Sequence, residues 1–500
     1  MPICIFISLF QIIFAFKYLG TLFSFLFLIL YNQLNIMYFP EFSYILCQIW
    51  PNFIAMRSHK YARLSLVDLP ENLLSEILIQ LPIRSIVMCK CTSKTLHHLI
   101  TSTNFSRLHF ARADTCVLLQ NCLPSTVSRT LYLLEASEID TNYCHCPREK
   151  LNQSANTMRL DTKLKLPLAN GKLHSGNGNA KIHEACDWKS AVKQNPILYK
   201  FKIVNSCNGF ICLEDPLLML PTVVCNPVTN EYLNLPDAKG FVFSSWPSGI
   251  GLCPNSNKYK VFRVIIGKKL HVECPITGKW WNTNMEAQIH TLGTKSWKSI
   301  GYAPYIHPSY ISPTNVSLNG TMYWISKVYD DSTSNDPYNI ISFDFSDECF
   351  RSLPQPPVTG RGRTCLGVIG NSLCLSSRFG VDSIDIWVLK KNCGVEKSWS
   401  KLISISPPVY GLSHFVSCSK CEAFFIFGIV GAEIVYCDSK GVKGKSLKFR
   451  GGGFTAVPLV YTPSFVSLKN VVPQADVKSI STGFTLPGEI WSVHLKRRAV

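Results

Sequence analysis

"VVCNPVTNEYLNLP", residues 223–236, opens with an apolar strand, turns at Asn226-Pro227, and returns through Tyr232 to Leu235-Pro236. The same order recurs in "QIHTLGTKSWKSIG" (288–301) and "IISFDFSDECFRSLP" (340–354), and with a longer turn in "IDIWVLKKNCGVEKSWSKLISI" (384–405). The marker aromatics Tyr232, Trp297, Phe350 and Trp399 are 65, 53 and 49 residues apart. Ile341, Phe343 and Phe345 alternate with polar residues, so each hairpin has one face to bury and needs neighbours.

Further strands lie between the hairpins: "NGFICLED", "YKVFRVII", "VSLNGTMYWIS", "LGVIGNSLCLSS" and "EAFFIFGI". A period near 50 built from strand hairpins is the pattern of a kelch-like β-propeller. The β region is expected over 116–470. A polar, glycine- and asparagine-rich insertion at 137–194 surrounds the strand-like "KLKLPL", and a loosely held tail follows at 471–500.

Ahead of the strands the period changes. In "DLPENLLSEILIQLPIRS" (68–85), Leu74, Ile77, Leu78 and Leu81 recur at helical spacing. Pro70 suits a first helical turn, Pro82 ends this helix and can open the next, and Ser93 is the expected N-cap of a third. Phe105, Leu108 and Phe110 mark one more short turn of helix. A bundle this small has more surface than core, and its surplus of apolar positions calls for a partner. The fold class is therefore α+β and multidomain: a small three-helix segment at 64–112, then an all-β propeller-like domain.

The first 55 residues fit neither part. Lys17 is the only charge in the first thirty, and hydropathy permits a transmembrane helix or signal anchor. The composition, rich in Phe, Ile, Leu, Tyr and Asn, is that of translated AT-rich non-coding DNA. Met56 then opens an ordinary soluble start, "MRSHKYARLSLVDLP". Residues 1–55 are expected to be an artefactual extension, with a membrane anchor as the alternative. The sequons at Asn104, Asn152, Asn315 and Asn319 matter only if the chain is secreted.

The net charge of +18 is diffuse, with one compact cluster at 496–498; it favours acidic partners without naming one. The 21 cysteines sit singly inside apolar segments, as reduced buried thiols do, which favours the cytoplasm or nucleus. Cys144-His145-Cys146 with His183 and Cys186 matches no common zinc spacing. Cys418 and Cys421 flank a strand end, not a helix start, and "RGGG" at 450–453 opens no helix. His97-His98 is read as solvent-facing. No Walker loop, HExxH or GxSxG occurs, so no catalytic, metal or cofactor residue is assigned.

Residues 69–105 resemble an F-box, the module by which substrate receptors of Skp1–cullin–F-box ubiquitin ligases grip the Skp1 adaptor. The "LP…EIL…LP.(R/K)S" skeleton is complete as Leu69-Pro70, Glu76-Ile77-Leu78, Leu81-Pro82 and Arg84-Ser85. The resemblance implies that Leu69, Pro70, Leu74, Ile77, Leu78, Leu81, Pro82, Ile86 and Val87 contact Skp1. In the third helix Thr92 and Leu96 stand where the family usually carries Val and Trp, which removes a large buried ring. From about 195 to 470 the order of motifs resembles the plant F-box-associated interaction domain. Cys225 replaces its usual Trp before Asn-Pro, and the last hairpin, "EIVYCDSKGVKGKSLKF", is loosely patterned.

Together the two resemblances imply a non-catalytic substrate-recognition subunit that binds Skp1, and through it cullin, at one end and a protein target at the other. No nucleic acid is expected. A membrane-anchored or secreted propeller module, and a propeller-based hydrolase, are the other classes this sequence leaves open.

Overall fold

The computed structural model describes residues 69–121, 130–135, 157–158, 162–167, 201–215, 219–237, 247–266, 272–273, 280–281, 285–303, 316–327, 338–357, 364–379, 383–391, 397–405, 412–418, 423–428, 433–437, 445–449 and 456–480. Two compact units divide between Ser102 and Thr103.

The first unit holds α1 (Glu71–Leu78), α2 (Ile83–Thr92) and α3 (Lys94–Thr101). Pro70 and Pro82 precede α1 and α2 with extended ψ angles of 140° and 148°. Their carbonyls accept the first helical bonds, from Leu74 N (3.0 Å) and Ile86 N (3.1 Å). Proline therefore sits one residue earlier than the expected first turn, where its fixed φ still starts the helix. Ser93 caps α3 as expected, its hydroxyl accepting from Leu96 N at 3.1 Å. Leu74, Leu78, Ile86, Leu96, Leu99 and Ile100 are all buried. Position 96 is a core position, held here by leucine.

The second unit opens with α4 (Thr103–Arg112), a ten-residue helix where only a short turn was expected. Strands β1 (Cys116–Asn121), β2 (Thr130–Leu134), β3 (Thr157–Met158) and β4 (Thr162–Lys165) follow. Five blades then run consecutively. The first is β5 (Lys202–Cys207), β6 (Phe210–Asp215), β7 (Leu220–Asn226) and β8 (Glu231–Asn234). The second is β9 (Ser248–Cys253), β10 (Lys258–Ile266), β13 (Met285–Thr291) and β14 (Lys298–Tyr302), with a small side hairpin of β11 (Val272–Glu273) and β12 (Trp280–Trp281). The third is β15 (Val316–Leu318), β16 (Thr321–Lys327), β17 (Tyr338–Asp344) and β18 (Cys349–Leu353). The fourth is β19 (Thr364–Ile369), β20 (Ser372–Phe379), β21 (Ser383–Lys391) and β22 (Lys397–Ile405). The fifth is β23 (Leu412–Cys418), β24 (Ala423–Gly428), β25 (Glu433–Cys437) and β26 (Lys445–Phe449), with β3 added in parallel at its edge.

A sixth sheet is built from both ends of the domain: β27 (Ala456–Tyr461) pairs with β1, followed by β2 and β4. The first strands β5, β9, β15, β19, β23 and β27 stand inside, successive blades touching around a closed ring. Each repeated sequence stretch is the hairpin of a blade's third and fourth strands.

Three of the marker aromatics join neighbouring blades. Trp297 donates its indole N–H to Pro236 O at 3.0 Å, from the second blade back to the first. Trp399 does the same to Pro354 O at 2.7 Å, from the fourth to the third. Phe350, with no donor, instead packs against Phe262, Phe343 and Trp324 in the core between the second and third blades. In two of the four repeats, then, one blade's tryptophan meets the previous blade's proline.

Residues 481–500 of the expected loose tail lie outside the described residues; the chain before them is packed. Through residue 480 it lies across the first blade, with α5 (Leu468–Val471) buried at Leu468 and β28 (Lys478–Ser479) added to β8. Asn226, fully buried, donates to Ser464 O (2.9 Å) and Val466 O (2.8 Å). Its own carbonyl accepts from Val228 N at 3.0 Å. The Glu231 carboxylate accepts from Ser467 Oγ (2.8 Å) and Leu468 N (2.7 Å). Gly209, at φ +85°, lets this segment pass: a Cβ there would lie 2.2 Å from the Ser464 Cβ. The "NPVTNE" motif is a clasp on the chain's own C-terminal segment.

Asn226→Ala strands one buried and one part-buried carbonyl at once. Urea unfolding should show a loss of about 2–4 kcal/mol. A change below about 0.5 kcal/mol would mean that the clasp contributes little.

Candidate functional site

Two places present surface fit for recognition, one on each unit. In the helical unit, the residues expected to meet Skp1 divide by burial. Leu74, Leu78, Ile86 and Val87 are buried, so they serve the helical core. Leu69, Ile77, Leu81 and Pro82 are half-buried and Pro70 is exposed. The large apolar side chains left most open are Leu73 and Met88, at 51% and 50% exposure. Neither was singled out from the sequence, because both fall off the apolar stripe of their helix. The signal that could have found them was the surplus of apolar residues over what three helices can hide. His97 and His98 are exposed, as expected.

In the propeller, the C-terminal ends of β5, β9, β15 and β27 converge with β19 on a cavity of about 400 Å³ at one end of the ring. Asn205, 1% exposed, fixes this wall. Its amide donates to Ile250 O (2.9 Å) and Ser317 Oγ (2.9 Å), and its carbonyl accepts from Ile250 N (2.8 Å). One side chain of β5 thus ties β9 and β15. Ser206 ties β27, donating to Val460 O at 2.6 Å. Burial pushes the Cys207 thiol up to about 12, so it lines the cavity as a neutral group. Residues 238–246, 304–315 and 328–337 lie outside the described residues.

No group of His, Cys, Asp and Glu among the described residues could hold a metal ion. Cys144, His145, Cys146, His183 and Cys186, the side chains of Cys418 and Cys421, and "RGGG" at 450–453 lie outside the described residues, as do residues 1–55. Among the described residues no helix is long and apolar enough to cross a membrane.

A family model described as the F-box associated beta propeller domain matches residues 157–456. The chain belongs to this family. A second model, the F-box domain, matches residues 66–108 and so covers the three helices of the first unit. Among curated relatives, the Arabidopsis thaliana F-box/kelch-repeat protein At3g23880 is 24% identical over 70% of this chain and 81% of its own length. The F-box protein At3g07870 of the same plant is 29% identical over 41% of this chain; the chain spans about half the length of that relative, 51%. Among solved structures, a chain of the nidogen/laminin complex covers 70% of this chain and 99% of its own at 8% identity. Its TM-score of 0.37 is too low to carry an argument.

The F-box match ends inside α4, and α4 is seated on the propeller. Ser106 donates to Phe465 O at 2.9 Å. The rings of Phe105 and His109 lie 5.8 and 4.9 Å from that of Phe465. The helix on which the F-box match ends is therefore part of the β domain's own packing. His109 is buried with its Nδ1 unpartnered, and burial pulls its pKa down to about 4 from an ordinary 6.5. The unfolded chain takes up this proton first, so stability present above pH 6.5 is lost as pH falls toward 4.

This group alone accounts for about 3 kcal/mol across that window. His109→Leu should flatten the corresponding part of the stability–pH curve while matching wild type at pH 7.5. Parallel curves for the two proteins would show that the imidazole is solvated in the folded state.

Proposed function

We propose that this chain is the substrate-recognition subunit of a Skp1–cullin–F-box ubiquitin ligase. The observation that carries the reading is the union, in one chain, of an F-box and an F-box-associated propeller. Helices with an apolar surplus hold the adaptor, and a rigid ring holds the target. The chain contributes no catalytic group of its own. It raises the effective concentration of the target's lysines at the ubiquitin-charged enzyme that the cullin brings.

On the adaptor side, the exposed and half-buried Leu69, Pro70, Ile77, Leu81 and Pro82 are proposed to touch Skp1, joined by Leu73 and Met88. The buried Leu74, Leu78, Ile86 and Val87 act through the helices they hold together. Loss of water from this apolar surface supplies roughly 25 cal/mol per Å². The proposed working compartment is the cytoplasm or nucleus, supported by thiols such as Cys212, Cys225 and Cys374, which are buried and free.

Leu69→Ala with Pro70→Ala tests the adaptor face, because both residues precede α1 and neither is in the helical core. A Skp1 pull-down should recover the wild-type chain and lose the double variant, with the thermal midpoint of the chain unchanged. Recovery of both in equal amount would place the adaptor contact elsewhere, and failure of the wild type would contradict the reading.

A further inference from the structure

The cavity at the ring's end has a chemistry that the net charge of the chain does not foretell. None of the twenty described residues lining it is Asp, Glu, Lys, Arg or His, in a chain carrying +18. Leu318, Leu366, Val368, Leu459, Pro254 and Pro458 give it an aliphatic wall. Among them stand small neutral groups, Ser317, Thr321 and Thr462.

The backbone adds a second property. Among the described residues, strands β5, β9, β15, β19 and β27 each pair with a neighbour on one side only, so their inner edges turn peptide N–H and C=O groups toward the axis. Asn205 and Ser206 take up groups of Ile250 and Val460. A charged side chain entering here finds no counter-ion among the described lining residues and gives up its water. An aliphatic side chain loses only apolar exposure, and the peptide that carries it can pair with strand edges as an added strand does. At about 400 Å³ the cavity is within the size range of ligand pockets.

We propose that this mouth receives an uncharged, aliphatic segment of the target protein in extended form. Target choice then rests on shape and backbone pairing, with the diffuse positive charge outside the mouth affecting encounter only. The proposal rests on the reading that the propeller holds the target.

The test uses the full chain co-purified with Skp1 and three pools of synthetic heptapeptides: uncharged aliphatic, the same with Asp or Glu, and the same with Lys or Arg. The uncharged pool should be retained, with binding changing less than about twofold between 50 and 300 mM salt. Val368→Arg, which puts charge into the mouth, should weaken it at least about tenfold while Skp1 still co-purifies. Thr462→Arg, just past the end of β27, gives the same reading from another part of the wall if the first variant does not fold. Selection of the acidic pool with strong salt dependence, binding unchanged in both variants, or retention of no pool would overturn the proposal. Loss of Skp1 with peptide selection intact would instead remove the ligase reading and leave the mouth standing.

Discussion

Strand β27 lies antiparallel to β1, with Cys116 opposite Tyr461 and Asn121 opposite Ala456. This six-residue ladder joins the two ends of the β domain and turns a row of sheets into a ring. A blade in a ring has two neighbours to cover its faces, so an open row would leave two faces wet. Closing so long a loop has an entropy cost that grows only slowly with length, and a short ladder with a clasp offsets it. Asn226 and Glu231 supply that clasp by holding the segment after β27 on the first blade. Tyr461, fully buried, adds a bond from its hydroxyl to Gly209 O at 3.2 Å.

Closure also makes the mouth. Only when β27 and β5 are neighbours do Ser206 and Val460 meet, and only then do five strand ends share one cavity. Asn205 fixes three of the inner strands at once, so hydrogen bonds between strands help to set the cavity's shape. A rigid, neutral mouth on a basic chain separates two tasks. Diffuse charge acts at long range and is screened by salt, whereas the cavity discriminates at contact.

Much of this was legible in the sequence because propeller blades repeat. The hairpins around Tyr232, Trp297, Phe350 and Trp399 were visible as a period, and all four are third–fourth strand hairpins. Why the period exists was not visible, since the bond from Trp297 to Pro236 crosses between blades. The sixth sheet was hidden for the same reason: no local pattern says that residues 456–461 belong beside residues 116–121. The segment after 470 looked loosely held because its few apolar residues have no period. Val472 and Ile480 are nonetheless buried, by a partner far away in sequence. In the helical unit, spacing gave the right helices and the right cap. It could not separate core from surface among nine apolar positions, and it passed over Leu73 and Met88.

The proposed function requires one chain to hold an adaptor at its helices and a target at its ring. The most direct measurement is affinity purification of the chain from cells with the proteasome blocked, followed by mass spectrometry of what comes with it. Skp1 and a cullin should be recovered together with at least one ubiquitin-conjugated protein, and that protein should be lost when Val368→Arg fills the mouth. Recovery of the propeller's partner with no Skp1, no cullin and no ubiquitin conjugate would contradict the account.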